Sequence, residues 1–131
     1  MKKLFFILLA VVSIHVQAAD HPKAPLDVVN ARMAAYNNHD LTSFLNTYSD
    51  SIQIFTYPNI PLGKPGKEHL AFIFEPMFKE KSVSVKIHSQ ITQGKYVINH
   101  ETVTYEKKEQ KYVSIYEVEN GLIKSVQFLR E

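Results

Sequence analysis

The sequence predicts an α+β domain in which three N-terminal helices pack on one face of a curved antiparallel sheet, and three observations predict it. Apolar residues after position 25 recur with helical period. From Ser82 onwards they alternate with polar residues, as strands half-covered by a core do. Asn120-Gly121 sits between two runs rich in Val, Ile, Tyr and Phe, a pair suited to the positive φ that a two-residue hairpin turn needs at both central positions. Helices segregated from a run of hairpins belong to the α+β class.

Pro25 can open the first helix, because proline at a first helical position gives up an amide that would have no partner there. Val28, Val29, Arg32, Met33 and Tyr36 then form a stripe with helical spacing, and the helix is expected to run to about Asn38. Asp40 is placed as N-cap of a shorter second helix with Leu41, Phe44, Leu45 and Tyr48 on its apolar face. Tyr48-Ser49-Asp50-Ser51 breaks the period, so the first strand is read from Ile52 to Tyr57, and a short strand around Ile60 to Leu62 lies in the Pro/Gly loop that follows. A third helix is expected from Gly66 to about Lys81 with Leu70, Ile73, Phe74, Met77 and Phe78 buried, kinked or restarted at Pro76.

Four long strands follow. Val83, Val85, Ile87, Ser89 and Ile91 form one face of the first, Gln93-Gly94-Lys95 turns the chain into Tyr96 to Tyr105, and a charged loop from Glu106 to Gln110 leads into the final hairpin. In that hairpin Tyr112, Ser114, Tyr116 and Val118 share a face without charge. Such a face suits a pocket wall that offers hydroxyls, or a half-buried core face whose tyrosine hydroxyls reach water at the edge.

The chain of 131 residues is enough for one domain with one core. Met1-Lys2-Lys3, the apolar run Leu4 to Ile14 and Val16-Gln17-Ala18 read as a secretory signal, residues 1–18, cleaved after Ala18 or Ala19. The domain is then 19–131, and the expected location is periplasmic or secreted, with no membrane segment after cleavage. Loss of Lys2 and Lys3 leaves 13 basic against 13 acidic residues, so the basic balance belongs to the leader. No Lys/Arg cluster remains for nucleic acid. There is no cysteine, and hence no disulfide and no lipid-modified cysteine of the bacterial lipoprotein kind.

His100 and Glu101 are the best titratable pair for acid/base chemistry. Neighbours on a strand point to opposite faces, so only one of them can enter a cavity; Val97, Asn99, Glu101 and Val103 form one candidate inward row, and Ile98, His100 and Thr102 the other. A structural ion pair of Glu101, with Arg32, is the alternative to a catalytic role. His21, His39, His69, His88 and His100 lie far apart in sequence with no metal-binding spacing, so no metal is expected. The absence of a G-x-S-x-G elbow or a Walker loop leaves serine hydrolysis and nucleotide binding without support.

Ala35-Tyr-Asn-Asn-His-Asp-Leu, Tyr48-Ser-Asp, Phe55-Thr-Tyr-Pro58, Val97-Ile-Asn-His-Glu-Thr-Val-Thr104 and Ile115-Tyr-Glu-Val-Glu-Asn-Gly-Leu-Ile123, in this order, resemble the SnoaL-like branch of the nuclear transport factor 2-like superfamily. The resemblance implies a cone, a strongly curved sheet closed on one side by helices, with an apolar cavity at its open end. Homodimers are common among its members, so a homodimer is expected; no cofactor is expected. Members include ketosteroid isomerase, polyketide cyclases, limonene epoxide hydrolase, scytalone dehydratase and non-catalytic modules, so the fold leaves function open. The isomerase's proton-shuttling carboxylate would fall on Tyr57, its helix-one tyrosine near Arg32 and its strand acid on Ser114, so none of those acids is retained here.

The resemblance therefore implies a pocket for a small apolar ligand lined by Tyr36, Phe55, Tyr57, Ser114, Tyr116 and Phe128, with Arg32, His100 or Glu101 as its charged element. Binding without isomerase catalysis is one reading. A small acid/base enzyme of isomerase, cyclase or dehydratase type using Glu101 or His100 is the other.

Overall fold

The computed structural model describes residues 21–131, so the expected signal segment lies outside the described residues. The elements run α1 (Pro25–Asn37), α2 (Leu41–Leu45), β1 (Tyr48–Thr56), β2 (Ile60–Pro61), α3 (Lys67–Lys79), β3 (Val83–Gln93), β4 (Tyr96–Tyr105), β5 (Lys108–Glu119) and β6 (Leu122–Arg130). They form one six-stranded, curved and unclosed sheet of order β2-β1-β6-β5-β4-β3, with the helices on its concave face. All pairings are antiparallel except β1 with β6, which is parallel. That exception makes the sheet mixed: β1 is joined to β6 through α3 and four further strands, and no hairpin constrains its direction.

Local chemistry explains most boundaries. Pro25 opens α1, and Asp40 caps α2 by accepting from the Ser43 N–H at 3.1 Å. Asn37 ties the end of α1 to edge strand β3, donating to the Val85 carbonyl at 3.0 Å and accepting from the Val85 N–H at 2.8 Å, which covers an edge otherwise open to pairing. Asn120 and Gly121 make their turn with φ of 51° and 75°.

Four boundaries differ from the sequence reading. β1 begins at Tyr48, where a break was expected: the ladder is irregular between Tyr48 and Gln53, so Tyr48 and Ser49 are both buried and Asp50 and Ser51 both exposed, which erases the two-residue period. α3 runs through Pro76 without restarting; Phe72 and Pro76 lie on its exposed side, where the carbonyl left without a donor reaches water. On the same helix Ile73 is 40% exposed, so the buried side is Leu70, Phe74, Met77 and Phe78. The expected charged loop is a two-residue turn, Glu106-Lys107, with φ of 47° and 69°, and β5 starts at Lys108; no Gly or Asn marked that turn.

The fourth difference lies in β3. Ile87 pairs with Glu101 but Ser89 pairs with His100, so His88 is an extra residue and the facing of the strand reverses there. Val83 and Val85 are buried, whereas Ile91 is 62% exposed on the convex face.

Phe44, fully buried, is the centre of the core between helices and sheet. Its ring lies 4.9 Å from Phe74, 5.1 Å from Phe78, 5.1 Å from Tyr48 and 6.0 Å from Tyr36. Edge-to-face and tilted contacts of this kind add to area burial.

Candidate functional site

The helices fill only part of the concave face. Between α1, α3 and strands β4 to β6 a cavity of about 340 Å³ remains. Phe74 and Met77 of α3, Val103 and Tyr105 of β4, Tyr112 of β5 and Phe128 of β6 supply most of its apolar wall, with Thr56 and Leu62 at one side. Arg32 and Tyr36 reach it from α1, Glu101 from β4, and Arg130 stands exposed beside it with its guanidinium 5.9 Å from the Tyr112 ring centroid.

Arg32 is 5% exposed. Its position follows from the α1 stripe, where it falls one turn before Tyr36 on the face turned to the sheet. The guanidinium carbon sits 5.2 Å from the Tyr36 and Phe44 ring centroids and 5.4 Å from that of Tyr116, so three ring faces surround a desolvated cation. Nε donates to the Tyr48 hydroxyl at 2.7 Å and Nη1 contacts the Met33 sulfur at 3.4 Å. Burial works against the charge, but the influence of Tyr116, Tyr48 and Glu101 outweighs it and holds the guanidinium above its ordinary pKa.

Glu101 is 1% exposed, opposite Tyr112 on β5 and Ile87 on β3. Ser114 donates to its Oε1 at 2.7 Å and the Asn99 side-chain amide to its Oε2 at 3.3 Å, so hydrogen bonds rather than an ion pair hold the carboxylate. No salt bridge joins it to Arg32 among the described residues, although both face the same cavity. Beside this cluster the Tyr116 hydroxyl and the Asn99 side-chain oxygen Oδ1 are buried without a hydrogen-bond partner. Burial pushes the Tyr36 phenol up to about 12, with the Arg32 charge pulling it the other way. The same burial raises Tyr48, and raises Tyr116 well above the ordinary tyrosine value.

Of the residues singled out from sequence, Arg32, Tyr36, Glu101 and Phe128 meet at this cavity. Ser114 and Tyr116 lie beneath it, fully buried, the one holding Glu101 and the other offering its ring to Arg32. His100 is exposed on the convex face, because β4 turns its odd-numbered row inward. Phe55 also faces outward, since Ile54 and Thr56 take the inward positions of β1, and Tyr57 lies past the strand end at 51% exposure. Tyr112 enters as part of the uncharged hairpin face that suited a pocket wall, whereas Val103, Phe74 and Met77 were not named as site residues from sequence; the alternation of the Glu101 row already carried Val103.

A family model described as a SnoaL-like domain matches residues 29–126. Among solved structures, an NTF2-like protein of unknown function from Cytophaga hutchinsonii superposes with a TM-score of 0.72 at 17% identity, covering 87% of this chain and 95% of that one. An LEH-like epoxide hydrolase from M. tuberculosis gives 0.66 at 18% identity, covering 82% of each chain. A protein proposed to be a ketosteroid isomerase, from Kribbella flavida, gives 0.66 at 13% identity, covering 82% of this chain and 77% of that one. These identities establish a shared fold and nothing about chemistry. No curated protein matches the chain in sequence.

Proposed function

The chain belongs to the SnoaL-like domain family, and from that premise we propose that it binds a small, largely apolar molecule whose oxygen function is directed to Arg32. One observation carries the reading: a cavity of about 340 Å³ walled by aromatic and aliphatic side chains, into which two buried charged groups, Arg32 and Glu101, project. An apolar enclosure with a few placed polar groups is what a small-molecule site requires, and the volume lies near the lower end of the usual range of about 300–1,000 Å³. A ligand carbonyl, carboxylate or hydroxyl oxygen satisfies the guanidinium edge that Tyr48 and Met33 leave open.

The position of Glu101 favours a second reading, acid/base catalysis. A carboxylate held by Ser114 and Asn99 at the wall of a cavity is placed to move a proton on a bound molecule, while Arg32 holds the oxygen on which charge develops. His100, on the convex face, has no part in it. The proposal also keeps the leader of residues 1–18, placing the mature protein in the periplasm or outside the cell, and a homodimer.

A thermal-shift screen against steroids, lactones and aromatic polyketide-like compounds tests the binding reading, because a ligand of the native state raises the melting temperature by mass action. The expected result is a shift for at least one class that disappears in Val103→Trp, which fills the cavity, and in Arg32→Met. No shift from any compound, or a shift that survives Val103→Trp, defeats the proposal. Turnover of a bound compound that vanishes in Glu101→Gln while binding persists selects the catalytic reading.

A further inference from the structure

The convex face of the sheet carries a pair of histidines that the cavity does not use. His88 on β3 and His100 on β4 are both exposed, with ring centroids 5.2 Å apart and planes at 52°. They lie twelve positions apart in sequence, and the β3–β4 register brings them together. Since His88 is the extra residue of the bulge between Ile87 and Ser89, it stands on the same face as Ser89 and as His100, which Ser89 opposes. We propose that His88 and His100 chelate one divalent transition-metal ion of the zinc class, with water completing the coordination.

Three features support the site. The first is spacing: a Zn–N bond of about 2.0–2.1 Å and a ring centroid about 1.1 Å behind each nitrogen put two imidazoles on a tetrahedral ion with centroids about 5 Å apart. The observed centroid separation of 5.2 Å is of that size. The second is the hydrogen bond of His88 Nε2 to the Thr102 hydroxyl at 2.7 Å. If Nε2 carries the proton, Nδ1 is left with its lone pair free, and metal-bound histidines have their second nitrogen held by such a partner. The third is ligand type, since neutral imidazole suits zinc, copper and nickel.

Among the described residues no group of three or more His, Cys, Asp or Glu side chains converges, so the ion would keep open positions, unlike a closed structural zinc. Lys86 and Lys111 pair with Thr102 on either side; both are exposed and long enough to extend into solvent away from the ion.

Isothermal titration of zinc chloride into the chelator-stripped, buffer-exchanged protein tests the site. The expected result is one zinc per chain, with binding lost in both His88→Ala and His100→Ala and unchanged in His69→Ala. Thr102→Val should weaken binding by about tenfold or more through the lost orientation of His88. In two-dimensional NMR, zinc should shift the imidazole signals of both His88 and His100 in the wild-type protein. Circular dichroism should be unaltered in the variants, since both histidines are exposed. Absence of binding, binding that survives either histidine variant, or half a zinc per chain overturns the proposal. None of these outcomes depends on whether the cavity binds a ligand.

Discussion

Replacing Arg32 by methionine keeps an unbranched apolar stem in α1 and deletes the buried cation. The change removes the hydrogen bond to the Tyr48 hydroxyl at 2.7 Å, a bond of a kind worth about 1.5–3 kcal/mol when one partner is charged. It also removes contacts with three ring faces, together about 1–2 kcal/mol for a desolvated guanidinium. The carboxylate of Glu101 is then left without the positive charge facing it across the cavity. A loss of about 2.5–5 kcal/mol follows from the hydrogen bond and the ring contacts together. Glu101→Gln keeps the shape and the acceptor for Ser114 but makes that hydrogen bond a neutral one and removes a charge that favours the Arg32 cation, and the expected loss is about 1–3 kcal/mol. If the two charges compensate each other through the cavity, the double variant is more stable than the sum of the single losses implies by about 1–3 kcal/mol. Urea unfolding followed by circular dichroism, with m-values checked for constancy, measures all four proteins. Additivity within about 0.5 kcal/mol would refute the compensation and reduce Glu101 to a residue satisfied by Ser114 and Asn99 alone.

Phe44→Ala should cost about 3–5 kcal/mol in the same assay, since the ring is fully buried among four others and the helices hold the space it vacates. Ser114→Ala should cost about 1.5–3 kcal/mol by stripping Glu101 of its shortest hydrogen bond, and a loss below about 0.5 kcal/mol would mean that this contact is unimportant. Alkaline pH should destabilise the fold. Tyr36 titrates near 12 when folded against about 10 when unfolded, so its contribution is intact below pH 10 and is lost as pH rises from 10 through 12, by about 2–3 kcal/mol for this residue. Tyr48 and Tyr116 shift in the same direction and steepen the loss. Urea midpoints between pH 8 and 12 check it, and Tyr36→Phe should flatten the decline.

What could be read without coordinates were the elements that local chemistry specifies. The α1 stripe, the Asp40 cap and the Asn120-Gly121 turn each depend on residues within one or two turns of chain, and each is where the sequence placed it. The tertiary structure decided which side of each strand faces inward. Alternation gives two rows on β4 and no sign to choose between them, and only packing under Arg32 and Tyr36 turned Glu101 inward and His100 outward. A bulge belongs to a ladder, not to a strand, so the reversal at His88 was invisible until β3 and β4 were in register. The same one-residue step exposes Ile91 and sets two distant histidines side by side. Phe55 and Tyr57 have the composition of pocket residues, but one is turned outward by the pleat and the other lies past the end of β1. Residue type told what kinds of group the cavity could hold; long-range register told which of them it does hold, because a strand's facing is fixed by its partners rather than by its own sequence.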